Sequence, residues 1–319
     1  RRTSNIGDLM PLILGTNSIK DTGFDVANSL RFNSGSSDSI TRTNGSTTNR
    51  RTFTVSFWLK KTSITTEQHP VFAGDLSGAN PYFDFRFDDT QIINWYGSTS
   101  GGSEEFNLKT DRVFKDPNAW YHFVFAFDTT QSTASDRIKW YVNGEQITAF
   151  DTASYPAQNI DLKIFEGGQT NKYHIGSLYA SGSGSNFFDG CMSHVHFSDG
   201  QQLAPTVFGS TDSTTGEWKI NTSPSFTLGT NGFTILKDGN TITDQSSNSN
   251  NFTLGGGTLT NTEDCPSNNF ATGNPLYFTN SAWTSSLTNG NNTFTGHTGT
   301  NSYPTLASTI AMPSSGKYY

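Results

Sequence analysis

Cysteine is nearly absent: the 319 residues hold two, Cys191 and Cys265. Thiols so far apart build neither a disulfide framework nor the paired ligands of a zinc knuckle, and both are expected to be reduced. Charge is thin as well, with 15% of residues Asp, Glu, Lys or Arg and a formal net charge of −7. Basic residues never run beyond two in a row. That leaves no surface able to track phosphates and excludes nucleic acid as a partner. Long hydrophobic runs are missing too, because the longest near-apolar stretch, Leu9 to Leu14, falls far short of the ~20 residues of a membrane helix. No basic segment followed by an apolar stretch marks a signal peptide, so a soluble protein without membrane insertion is expected. Beyond the first twenty residues no window of a dozen keeps a 3.6-residue apolar period, which excludes long helices.

What the chain has instead is aromatic area and turn residues. Its 25 Phe, 11 Tyr and 6 Trp supply core surface although only 32% of residues are hydrophobic. From about Ser29 the sequence alternates polar and apolar in short segments broken by Gly, Asn, Asp and Pro, the pattern of an all-β sandwich. Strand side chains point alternately to opposite faces. Phe53, Val55, Phe57 and Leu59 therefore share one face and Thr54, Ser56 and Trp58 the other, a half-buried strand with Trp58 out of pattern. Phe83, Phe85 and Phe87 face inward from a strand whose other face carries Tyr82, Asp84, Arg86 and Asp88. Residues 120–127 are apolar on both faces, as in a central strand. Asn143-Gly144 supplies the positive-φ pair of a tight hairpin.

The length suggests more than one module. Past Gly209 aliphatic runs thin out and Gly255–Gly257 breaks the chain, which predicts a β-rich connector over 209–278. Strand-like pieces resume from Asn280, so 279–319 reads as the start of a further β domain. Residues 1–20 read as an N-terminal connecting segment.

Ser29–Phe32, Phe53–Leu59, Trp120–Val124, Trp140–Gly144, Ile175-Gly176 and Phe188–Gly190 through Val195–Phe197 together resemble the laminin-G-like, concanavalin A-like jelly-roll family. The fit covers residues 21–208 and implies a jelly-roll sandwich. The continuation, Asp199–Leu203 with Phe208-Gly209, Thr215–Trp218, Gly229–Phe233, Asp244–Phe252 and Asp264–Ala271, resembles lectin-like structural proteins of tailed, marine-type bacteriophages. Ser315–Tyr319 resembles the first strand of a SPRY-like domain that often follows there. The resemblance implies a non-enzymatic virion component: a tail fibre, adhesin or vertex fibre that attaches to host-surface glycans. Its expected partners are other virion proteins and copies of itself in a homotrimer, with assembly in the bacterial cytoplasm. Two alternatives stand beside it, a capsid or tail decoration protein making only protein contacts and a secreted bacterial carbohydrate-binding module. A fold alone decides none of these.

Jelly-roll glucanases use two Glu residues flanking an Asp along one strand face, close enough for a retaining mechanism. The chain has seven Glu, and none forms Glu-x-Asp-x-Glu. No Gly-x-Ser-x-Gly elbow is present either. No cofactor is expected. Calcium, which such sandwiches hold at the sheet rim, would look to Asp75, Asp84, Asp88, Asp89 and Asp128. Sugar binding needs an aromatic platform and fixed polar groups, and the candidate set is Asp84, Arg86 and Asp88 on the polar strand face with Trp95 and Tyr96. Cys191, His194 and His196 invite a metal reading, but on a regular strand Cys191 opposes the two histidines. They converge only if a bulge intervenes, which Met192 and Val195 would require if both are core residues.

Overall fold

The computed structural model describes residues 25–43, 45, 49–77, 80–163, 172–237, 241–278, 286–296 and 305–310. The expected connecting segment 1–20 and the SPRY-like strand at Ser315–Tyr319 lie outside them. Among the described residues the regular structure is strand, joined by three-residue 3-10 turns.

Two eight-stranded antiparallel sheets form a jelly-roll sandwich. The first runs β10 (Glu145–Gln146), β9 (Ile138–Val142), β8 (Tyr121–Asp128), β3 (Thr52–Lys61), β15 (Gly190–Asp199), β1 (Ser29–Phe32) and β20 (Thr260–Thr262). β18 (Phe233–Ile235) also pairs with β15. The second runs β11 (Phe150–Ser154), β7 (Glu104–Val113), β6 (Ile92–Ser98), β5 (Tyr82–Phe87), β4 (Gln68–Gly74), β12 (Lys172–Ile175), β2 (Ser39–Thr43) and β19 (Thr253–Gly256). Four two-stranded ribbons complete the described structure. They are β13 (Leu178–Ala180) with β14 (Ser183–Ser185), β16 (Gly209–Thr211) with β17 (Trp218–Ile220), β21 (Gly273–Phe278) with β24 (Leu306–Ser308), and β22 (Ser286–Thr288) with β23 (Thr293–Thr295).

Period-two alternation explains the core. Phe53 and Phe57 from β3, Phe123, Phe125 and Phe127 from β8, and Trp140 from β9 meet Phe83, Phe85 and Phe87 from β5, Trp95 from β6 and Phe106 from β7. The Trp95 ring stacks on Phe125 with centroids 3.7 Å apart, and Phe57 meets Phe85 edge-on at 5.3 Å, so aromatic contacts join the sheets. Each such side chain contributes about 1.5–3 kcal/mol by leaving water. Asn143 and Gly144 hold the expected positive φ of 50° and 82° between β9 and β10.

The structure differs from the alternation pattern in β3, which is buried on both faces rather than half-buried. Its outer face is covered by chain that follows residue 204. Trp58 stacks on His122 (4.8 Å), Trp218 donates its indole N–H to His122 Nδ1 (3.0 Å), and Phe208 stacks on His196 (5.5 Å). Strands within 209–278 also join the sandwich itself: β18 pairs with β15, β19 with β2 and β20 with β1. Few apolar residues suffice there because Phe233 and Phe252 pack on each other (4.9 Å) and Phe233 on Phe197 (5.7 Å).

β15 contains the bulge that the sequence left possible. Ser193 pairs with Trp58 and His196 with Ser56, so one extra residue is accommodated, and His194 adopts φ 49°. Both Met192 and Val195 thereby reach the core.

Candidate functional site

The outer face of the second sheet gathers the aromatic and charged side chains that a sugar surface needs. Antiparallel register sets one cross-strand row: Asn107 on β7, Tyr96 on β6, Asp84 on β5, Phe72 on β4 and His174 on β12. Arg86 pairs with Asn94 in the neighbouring row. Residues directly opposite on one face are within contact range, so the register alone brings these groups together.

Two features organise the face. The first is a run of rings in which Tyr96 stacks on Tyr82 (5.5 Å), Tyr82 on Phe72 (5.8 Å), Phe72 meets His174 (6.1 Å) and His174 stacks on Tyr179 (4.2 Å). Tyr82, Tyr96 and Tyr179 are partly exposed, while Phe72 and His174 are buried beneath. The second is a chain of alternating charge. His69 donates from Nδ1 to Asp84 Oδ1 (2.6 Å) and from Nε2 to Glu67 Oε1 (3.0 Å), and Arg86 donates to Asp84 Oδ2 (3.1 Å). Asn186 donates to the same Glu67 oxygen (2.8 Å). Burial works against charge on His69, but the Asp84 and Glu67 carboxylates outweigh it and raise its pKa to about 9. His69 is therefore an imidazolium at neutral pH, and Arg86 is held by a carboxylate anchored from behind.

This arrangement holds its groups in place. Both nitrogens of His69 face carboxylates, so neither is left to accept a proton from a ligand. Asn94 donates to Asn107 Oδ1 (2.7 Å), yet its own Oδ1 is buried without a partner among the described residues. A buried acceptor left unpaired costs about 1–3 kcal/mol.

Of the five residues expected from sequence, the structure brings together Asp84, Arg86 and Tyr96. Asp84 is itself 1% exposed, a buried anchor rather than a surface carboxylate. Trp95 is a correction: its ring lies in the core against Phe125, because β6 alternation turns it inward when Tyr96 turns out. Asp88 stands apart in the β5–β6 turn, where its Oδ1 accepts from Thr90 N (2.9 Å), Thr90 Oγ1 (2.6 Å) and Ile92 N (3.1 Å). Sequence reasoning left out Glu67, His69, Asn94 and Tyr82. Tyr82 shares its strand face with Asp84 and Arg86 and was findable by alternation. His69 was not, because a register shift between Gln68 and Val71 disrupts β4 there.

Asp75, Asp84, Asp88 and Asp128 do not form a calcium set. Asp75 Oδ1 accepts from Ser77 and Ser181, and Asp128 Oδ1 accepts from Thr130, each closing its own turn. Asp89 is an exposed turn residue. Among the described residues no group of three His, Cys, Asp or Glu is placed to hold a metal. The β15 bulge corrects the facing of Cys191, which packs with Trp58 and Trp120 on the same outer face as the histidines. Burial, with Asp264 nearby, pushes its thiol to about 12, so it is not a ready thiolate ligand. His196 Nδ1 is engaged by Thr234 Oγ1 (2.9 Å) and His194 Nδ1 by Ser193 Oγ (2.8 Å). A separate cleft of about 810 Å³, walled by Ser34, Thr62, Ile64, Asp189, Leu287 and Asn291, contains none of the expected site residues.

A laminin G family model, described as the concanavalin A-like lectin/glucanases superfamily, matches residues 34–208. No curated protein matches the chain. Among solved structures it is similar to a proposed carbohydrate binding protein from Bacteroides ovatus, with 17% identity and a TM-score of 0.49. That match covers 76% of this chain, which spans 61% of the Bacteroides protein's length. It is also similar to the CBM40 of the Ruminococcus gnavus IT-sialidase bound to α2,3-sialyllactose (16% identity, TM-score 0.35, 46% of this chain and 75% of that one). Domains LG4-5 of the mouse laminin α1 chain match at 10% identity and a TM-score of 0.38, over 67% of this chain and 48% of theirs.

Proposed function

The chain belongs to the concanavalin A-like lectin/glucanases superfamily, and from that premise we propose that it is a non-enzymatic glycan-binding protein of a tailed-bacteriophage particle. The observation that carries the binding reading is the Tyr82–Tyr96 stack beside an Arg86 fixed through Asp84, His69 and Glu67. A pyranose laid on the tyrosine rings places its apolar face on them. Its hydroxyls then reach the partly exposed Arg86 guanidinium, a fixed polar group of the kind that orientation requires. The particle assignment is supported by the motif series from Asp199 to Ala271. In that setting the protein is displayed on the virion with other structural proteins, as a homotrimer, and meets host-surface glycans.

Three measurements test this. Mass spectrometry of purified virions should detect the chain, and electron microscopy should place it on an outer projection. A glycan array probed with the full chain should show binding to bacterial surface saccharides. Presence in virions with no glycan bound would replace the attachment role by that of a decoration protein. Glycan binding by a protein absent from virions would favour a secreted binding module.

A further inference from the structure

The outer face of the first sheet holds a buried cation that the glycan surface does not use. Lys60, near the end of β3, is 0% exposed. Its Nζ lies 2.7 Å from Asp264 Oδ2, 2.7 Å from Asn269 Oδ1, 2.9 Å from the Phe270 carbonyl oxygen and 3.3 Å from Asn118 Oδ1. Trp120 donates its indole N–H to the other Asp264 oxygen (3.0 Å). Trp58, Trp120 and Cys191 form an apolar cluster on this same face. Asn269 in turn donates from Nδ2 to the Asn118 carbonyl oxygen at 2.8 Å. An amine, a carboxylate and a carboxamide thus meet in fixed geometry, with the amine shut away from water. Those are the nucleophile, the proton carrier and the acyl donor of an amide exchange.

We propose that Lys60 and Asn269 are joined by an intramolecular isopeptide bond whose formation Asp264 catalyses. Asp264 Oδ2 takes a proton from the Lys60 ammonium. The freed Nζ lone pair attacks Asn269 Cγ, the carbon bonded to the Oδ1 already in contact with it. The protonated carboxyl hands its proton to the tetrahedral adduct, the Cγ–Nδ2 bond breaks, and Nδ2 departs with the displaced protons as ammonium. A new Nζ–Cγ amide remains, Asp264 is again a carboxylate, and nothing is oxidised or reduced. Asn269 is exposed, so the leaving group has a path to solvent. Asn118 is the poorer acceptor because it is more distant and its Oδ1 already accepts from Thr309 Oγ1 (3.0 Å). The bond would fasten β3 to a segment 209 positions later in the chain. This holds whether or not the second sheet binds a glycan.

The test is the intact mass of the purified, denatured full chain, followed by peptide sequencing by mass spectrometry. The expected mass is lower than that of the sequence by one ammonia, with a branched peptide joining Lys60 to Asn269. The near-isosteric Asp264→Asn variant should regain the full mass and give linear peptides. A wild-type chain at its sequence mass with both residues in linear peptides would overturn the proposal. So would a branch that ends on Asn118, and an Asp264→Asn chain linked as fully as wild type would remove the catalytic role of Asp264. Because the wild-type mass decides the bond by itself, the outcome does not depend on the variant folding.

Discussion

Adjacent residues on β6 have opposite fates, and substitution should separate them. Trp95→Ala empties core volume against Phe125 and Phe83 and should cost about 3–5 kcal/mol of stability in urea unfolding. Tyr96→Ala removes a partly exposed ring and should leave stability within about 1 kcal/mol while weakening glycan binding at least about tenfold. The histidines make opposite contributions to pH dependence. His69 has its folded pKa raised to about 9, so its contribution is complete below the unfolded value of 6.5 and is lost as pH rises toward 9. His122, His174 and His194 are buried neutral, with burial lowering them to about 3, 4 and 4, and His196 is lowered as well. Their contribution is complete above 6.5 and is lost as pH falls through that window. Thermal melts should therefore show a falling Tm from pH 6.5 to pH 4, and His196→Gln should flatten that acid limb.

At the scale of the element, the bulge in β15 fixes which side chains reach the core. Deleting His194 would restore a regular pairing with β3 and keep Met192, Val195 and Phe197 on the core face without the bulge. The deletion should therefore retain cooperative unfolding, whereas His194→Pro, which can neither adopt the positive φ nor donate the hydrogen bond from His194 N to the Leu236 carbonyl, should lose much of the stability. Circular dichroism melts of the two variants check this. The same element shows how much could be read in advance. Met192 and Val195 sit out of phase for a strand, and that made a bulge possible. The Phe83, Phe85, Phe87 alternation likewise located the core face of β5 and, on its reverse, Asp84 and Arg86. Trp95 was misplaced because an aromatic ring serves a core and a sugar platform equally well in sequence, and only the β6 phase decides. His69 stayed hidden because its partner Asp84 lies fifteen positions away across an irregular strand pair.

For the whole molecule, the sandwich is closed by chain from beyond residues 34–208, the stretch that the family model matches. β18, β19 and β20 extend both sheets, and the segment carrying Phe208, Trp218 and Phe226 covers a histidine-lined sheet face that alternation left half-exposed. Scarce apolar residues made 209–278 look thin because each of those few rings packs on a large partner surface. With the first sheet's outer face covered in this way, the proposed glycan surface is that of the second sheet, through Tyr82, Tyr96 and Arg86. The most direct measurement is calorimetric titration of a saccharide selected on the array into the full chain and into its Arg86→Ala and Tyr96→Ala variants, with the Tm of each recorded. Saturable binding by wild type that is lost in both variants, at a Tm close to wild type for Tyr96→Ala, is the predicted result. Equal affinity in all three proteins would contradict it.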